Sequence, residues 1–188
     1  MASSPPVAVY DACVLYPFQL RNLLVQCAAD RLVEARWSDE MHDEWIRNLL
    51  AREPRLTRAR LEATRDLMDR VLPQARVTGY AARIPAITLP DPGDRHVVAA
   101  GEEAGASIIV TWNVRDFPAA ELRRHGLRKL TPDGFLTELY GSEPAAVAAS
   151  VENARRNLNL SRVSRPAYLE ALQHQGLKRF VSALSQAP

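Results

Sequence analysis

The chain has 188 residues, 47% of them apolar and 24% charged, with a formal net charge of +2. This is the make-up of a soluble globular protein, one domain with an appendage or two small ones, and a chain of this length buries roughly 70% of its unfolded surface without disulfide staples. No apolar run approaches a membrane span, and residues 1–10, MASSPPVAVY, lack the basic start and long apolar core of a signal peptide.

The two cysteines, Cys13 and Cys27, sit among apolar neighbours with no Cys/His spacing for zinc, as expected of reduced thiols in a cytoplasmic protein. Charge is unevenly placed. Residues 151–188 hold six basic residues against two acidic ones, a net +4, so the remaining 150 residues carry −2. A basic tail on a mildly acidic body fits a metal site beside a polyanion-binding surface, but charge alone favours a solvated helical face with surplus arginine.

Pro6 to Tyr10 is short, apolar and β-branched and stops at Asp11, which reads as a buried parallel strand with a carboxylate at its C-terminal tip. Taken alone, Asp11 is an ordinary helix cap. Pro17 suits a helix start, and Leu20, Leu23, Leu24, Cys27 and Ala28 recur at helical spacing. A short strand over Leu32 to Trp37 completes a first β-α-β unit. Ser38 is an N-cap, followed by the stripe Met41, Trp45, Leu49 and Leu50, with Glu44 at its edge. An acid there is usually one half of a surface ion pair.

Residues 47 to 70 are arginine-rich and broken by Pro54, which predicts two helices, the second from about Leu56 to Leu72. The arginines either pair with acids along an exposed helix or form a basic rim for phosphates. Arg76 to Tyr80 predicts another short strand.

The most informative stretch is Thr88 to Phe117, TLPDPGDRHVVAAGEEAGASIIVTWNVRDF. Asp91 and Asp94 stand in a Pro/Gly turn. A short amphipathic helix follows, then an apolar strand, Ser107 to Thr111, then a polar loop with Asn113 and Asp116. In open α/β sheets, sites form beyond the carboxyl ends of the strands. Clustered carboxylates at such a place suit a hard divalent cation, which takes oxygen ligands. Gly126 to Thr131 predicts the last strand, and Pro132 opens a helix through Tyr140. Gly141 to Pro144 reads as a linker, and Ala145 to Leu158, Pro166 to Gln173 and Leu177 to Leu184 as three short helices. No GxGxxG follows the first strand, and neither a P-loop nor a Gly-x-Ser-x-Gly elbow is present.

The segment VYDACVL, the acid Glu44 after the second strand, and LPDPGDRHVVAAGEEAGASIIVTWNVRDFP together resemble the PIN-domain ribonucleases, and among them the VapC-like toxins of bacterial toxin–antitoxin pairs. The Asp-Pro-x-Asp-Arg turn and the Thr-x-Asn-x-x-Asp-Phe-Pro loop carry the likeness, which covers roughly residues 7 to 140. It implies an α/β, three-layer PIN-like fold: a central, mostly parallel sheet flanked by helices, plus a C-terminal helical extension. The division is residues 1–140 for the nuclease domain and 141–188 for the extension.

The resemblance also implies four acids around one or two Mg²⁺ or Mn²⁺ ions: Asp11, Glu44, Asp94 and Asp116. Asp11, Asp94 and Asp116 would be ligands, direct or through water, and Glu44 would orient a water or act as base. Asp91 is an additional nearby acid, and Thr111 and Asn113 match the polar residues that brace the site. The implied activity is metal-dependent endoribonuclease, as the toxin of a type II system, acting on RNA and held by a cognate antitoxin. The family commonly forms homodimers. A catalytically silent PIN-like module that binds RNA or protein is the alternative, and the full set of acids argues against it. A haloacid-dehalogenase-like phosphohydrolase would carry a second Asp where Cys13 stands.

Overall fold

In the computed structural model, residues 4–158 and 162–186 are described. The chain opens with strand β1 (Val7–Tyr10), helix α1 (Ala12–Leu15), helix α2 (Phe18–Ala29) and strand β2 (Glu34–Arg36). Pro17, with no N–H to give, stands at the N-cap of α2 and separates it from α1. Helix α3 (Asp39–Arg52) starts at Ser38, whose side chain accepts from the Met41 N–H, the capping expected from sequence. Helix α4 (Arg58–Val71) starts likewise at Thr57.

Two 3₁₀ segments, Tyr80–Ala86 and Pro92–Asp94, lead to α5 (Arg95–Glu103) and β3 (Ile108–Val110). Then come α6 (Ala119–Arg124), β4 (Arg128–Leu130), α7 (Pro132–Ser142), α8 (Pro144–Arg156), α9 (Arg165–His174) and α10 (Lys178–Ser185).

The four strands form one parallel sheet in the order β2-β1-β3-β4. Strand β1 pairs with both β2 and β3, Val9 lying opposite Arg36 on one side and Ile109 on the other. The chain moves from β1 to β2 in one direction and crosses back to β3 in the other. The crevice between β1 and β3 is therefore the topological switch point where α/β sheets bind ligands. Helices cover the sheet, and Ala8, Val9, Tyr10, Ile109 and Val110 are fully buried, as a parallel sheet requires.

The strand expected over residues 76–80 is not formed. Only a single bridge joins Arg76 to Trp37. Gly79, at φ +83°, then turns the chain into the 3₁₀ segment, so the run cannot continue as a strand.

The linker expected over residues 141–144 is reduced to one residue, Glu143. Gly141 lies inside α7, and Pro144 is the first residue of α8, where a missing N–H costs nothing. Helices α8, α9 and α10 pack onto α2 and α7. Their buried side chains Val147, Val151, Tyr168, Leu172, Phe180 and Leu184 belong to the same apolar core as the sheet.

Candidate active site

Asp11 follows β1 directly, and its N–H donates to the Val110 carbonyl at 3.1 Å, so the two central strands end side by side. It stands at the N-cap of α1 but makes no side-chain cap bond. Its Oδ2 instead accepts from Thr111 Oγ1 at 2.6 Å and from Cys13 Sγ at 3.1 Å. The capping role open to a lone Asp is thus not the one it plays. Asp11 is 3% exposed and Thr111 fully buried. Burial, and then the Asp11 charge, push the Cys13 thiol up to about 12, so it stays protonated and serves as a donor. The Trp112 N–H closes this network by donating to Cys13 Sγ at 3.2 Å.

Beyond β3, the Asn113 N–H donates to Thr111 Oγ1 at 2.9 Å, and the Asp116 N–H donates to the Asn113 carbonyl at 3.0 Å. Asn113 therefore braces the loop through its main chain, while its side chain is exposed.

On the other side of the crevice, Asp91 caps the Pro92–Asp94 turn, its Oδ1 accepting from the Gly93 N–H at 2.7 Å. Asp94 is at the N-cap of α5, yet its carboxylate makes no cap bond. An open cleft of about 440 Å³ lies between this turn and α3, lined among others by Glu40, Asp43, Glu44, Arg47, Asp91 and Asp94. His96, one turn into α5, reaches across it, with Nδ1 3.4 Å from Glu40 and Nε2 4.0 Å from Glu44.

Asp11 and Asp116 do not line this cleft, but their charges reach it. Asp94 is raised from its ordinary value to about 7, first by desolvation and then by the charges of Asp11, Asp91, Asp116 and Glu44. Glu44 is raised by desolvation and by Asp11 and Asp91, against the opposing pull of Arg47. All four expected acids and Asp91 therefore share one field of like charge. Arg47, the first arginine of the run read from sequence as a possible basic rim, offsets part of that field at Glu44. Of the arginine-rich run, Arg58 instead pairs with Glu62 at 3.6 Å and Arg65 with Asp66 at 2.8 Å, which are local surface pairs.

Cys13 and His96 are the residues that the sequence reading left outside the site, and Arg47 entered it only as one of a run of possible rim arginines. The signal for Cys13 was its place two residues after Asp11. For Arg47 it was the spacing of three from Glu44, which puts both on neighbouring positions of one helix.

A divalent cation fits this donor set, which consists of oxygen ligands whose mutual repulsion it would relieve. The arrangement is open: among the described residues, no three His, Cys, Asp or Glu side chains already close into a metal-holding group. Mg²⁺ is suited to such a site, because it keeps several waters and binds through one or two carboxylates plus phosphate.

Comparison with known proteins places this geometry in a class. A PIN-domain model matches residues 7–115, more than half of the chain, so the chain belongs to the PIN-domain family. That match contains Asp11, Glu44, Asp91, Asp94, Thr111 and Asn113 and stops one residue short of Asp116. A second model, the VapC50 C-terminal domain, matches residues 132–186. The chain is 38% identical over 64 residues to "Putative ribonuclease VapC50" of Mycobacterium tuberculosis, over 32% of this chain and 38% of that protein. The matched region thus spans well under half the length of that relative. No solved structure matches the chain.

Proposed function

We propose that the protein is a metal-dependent endoribonuclease that hydrolyses RNA phosphodiester bonds, acting in the cytoplasm as the toxin of a type II toxin–antitoxin pair. The observation that carries this reading is the gathering of carboxylates at the switch point of the sheet: Asp11 is held by Thr111 at the end of β1, Glu44, Asp91 and Asp94 line one cleft, and desolvation and then the neighbouring acids raise Asp94 to about 7. Membership of the PIN-domain family and the likeness to a VapC protein support it.

Asp11, Asp94 and Asp116 would hold Mg²⁺ or Mn²⁺. When bound, the ion supplies an activated water and neutralises phosphate charge. The chain's own residues do the rest. Thr111 and Cys13 spend their protons on Asp11 Oδ2, which fixes that carboxylate and leaves its other oxygen for a ligand. Glu44, raised above the usual carboxylate range, is a better proton acceptor than an ordinary glutamate and suits the role of base. Arg47 lies within the cleft to meet a phosphate. A cognate antitoxin would cover the acidic cleft.

The silent-module reading has one observation in its favour, the openness of the acid cluster. An intact set of five mutually repelling acids is costly to keep for binding alone, and RNA, itself an anion, would be repelled by it.

The test is cleavage of an RNA oligonucleotide by purified protein with Mn²⁺, compared with hydrolysis of a small phosphate ester. Cleavage of RNA alone is expected, lost by roughly 10²-fold or more in Asp116→Asn, the scale of removing one electrostatic stabiliser. Undiminished cleavage by Asp116→Asn would place the site elsewhere.

A further inference from the structure

We infer that the C-terminal helices form part of the scaffold of the active site: the turn between α9 and α10 seats Trp112 and so fixes the loop that carries Thr111, Asn113 and Asp116. This rests on the site assigned above.

Gly176 sits in that turn at φ +96°, and the outer edge of the Trp112 indole lies against its Cα. A Cβ at this position would stand 2.9 Å from Trp112 Cη2, closer than real side chains approach, so with any other residue at 176 the indole or the turn would have to shift.

The neighbouring Gln175 ties the same turn to the other half of the site. Its Oε1 accepts from the Leu20 N–H at 3.0 Å, and its Nε2 donates to Gln19 Oε1, both near the start of α2. Asp133 of α7 then anchors the start of α10 by accepting from the N–H groups of Arg179, at 3.2 Å, and Phe180, at 2.9 Å.

One turn of the appendage therefore touches both segments that leave the switch point, the one after β1 and the one after β3. Trp112 transmits that contact. Its N–H holds Cys13 Sγ, the thiol holds Asp11, and Thr111, the residue before it, donates to the same carboxylate oxygen. Gly176, Gln175 and Trp112 are positioning residues: they touch no reacting atom but set where Asp11 and Asp116 stand.

Gly176→Ala tests this, with Gly126→Ala as control. Gly126 also has positive φ, +70°, but a Cβ there meets nothing within 4 Å, so it carries backbone strain without the clash. Two readouts are used on the full chain: Mn²⁺ affinity from thermal shifts, and acrylamide quenching of tryptophan. Trp37 and Trp45 are fully buried, so quenching reports Trp112.

Gly126→Ala should melt lower with Mn²⁺ affinity and quenching unchanged. Gly176→Ala should increase quenching and weaken Mn²⁺ binding about tenfold, the scale of removing a partner that orients a ligand. Gln175→Ala, which keeps the glycine, should act in the same direction and serves if Gly176→Ala does not fold.

If Gly176→Ala and Gln175→Ala match the control in both readouts, the inference is overturned. A wild-type protein without any Mn²⁺ response would instead refute the metal site, and quenching alone would then decide the seating of Trp112.

Discussion

Asp94 and Glu121 are both acidic residues packed against the body of the protein, and their surroundings move them in opposite directions. Glu121, on α6, accepts from the Thr88 N–H at 2.8 Å and faces Arg124 at 3.1 Å and His125 at 3.4 Å. These donors, the Thr88 N–H first, hold it below the usual carboxylate range. Asp94 accepts no side-chain hydrogen bond among the described residues, and desolvation and then four neighbouring acids raise it to about 7. Glu121 is provided for by the fold and so anchors the segment that leads into the Asp91–Asp94 turn. Asp94 is left for something outside the chain, a proton or a cation. A carboxylate that the fold satisfies is structural, and a set that it leaves unsatisfied is a candidate for function.

The largest effect that would sharpen this contrast is on cleavage. Asp11→Asn should lose roughly 10²-fold or more of the RNA-cleaving rate, as should the wild type in EDTA. Glu121→Gln should cleave at the wild-type rate with Mn²⁺ and melt lower, because it weakens the hold on Thr88. Equal loss of rate in both variants would erase the distinction between the two carboxylates.

The second effect is on pH. For Asp94 the folded value lies above the unfolded one of about 3.9, so the native state binds the extra proton between them. In metal-free protein its contribution to stability is therefore most favourable below about pH 4 and declines as pH rises toward 7. Given its partial exposure, the change is on the order of 1 kcal/mol. Glu121, held low, contributes stability above its unfolded pKa that is lost as pH falls through its folded value. Mn²⁺ affinity should rise with pH through about 7, as Asp94 gives up its proton. A flat Mn²⁺ affinity from pH 6 to 8 would contradict the shared field of the acids.

The smallest effect concerns the basic tail. Arg155 and Arg156 both pair with Glu152, so they are partly neutralised where they stand. Lys178 and Arg179 are exposed at the start of α10, the helix that follows the turn against Trp112. Replacing Lys178 and Arg179 by Ala should flatten the slope of log K against log salt for RNA by about 1 for each phosphate no longer neutralised. Replacing Arg155 and Arg156 should change it less. The reverse order would mean that the tail binds RNA through α8.

Much of this was legible in the sequence where one residue type has one local consequence. The run to Tyr10 followed by Asp11, the Ser38 cap and the turn around Asp94 all stand where their chemistry places them. The misreadings came from Gly and Pro, whose meaning depends on the neighbours. Gly141 and Pro144 looked like a linker, yet Gly141 is helical and Pro144 begins the next helix, so the C-terminal helices continue the core without a gap. The bond from Cys13 to Asp11, the seat of Trp112 on Gly176 and the reach of His96 to Glu40 join residues brought together by strand order and helix packing. A single chain read locally carries no signal for pairings of that kind.

The central claim is that Asp94 is strained without metal and serves a ligand with it, and thermal melts of Asp94→Asn with and without Mn²⁺ test it most directly. Neutralising this acid relieves repulsion from Asp11, Asp91, Asp116 and Glu44 while removing a ligand. Metal that binds only the folded protein stabilises it by RT ln(1 + [L]/Kd), roughly 2.7 kcal/mol at a hundredfold excess. Asp94→Asn should therefore melt above wild type in EDTA and gain less from Mn²⁺. Asp39→Asn, which gives up its exposed pair with Arg76 at 2.5 Å and a charge in the first turn of α3, should melt slightly lower and keep the full Mn²⁺ response. An Asp94→Asn protein that melts below wild type in EDTA and keeps the full Mn²⁺ shift would show Asp94 to be an ordinary helix-start residue and the proposed metal site to be misplaced.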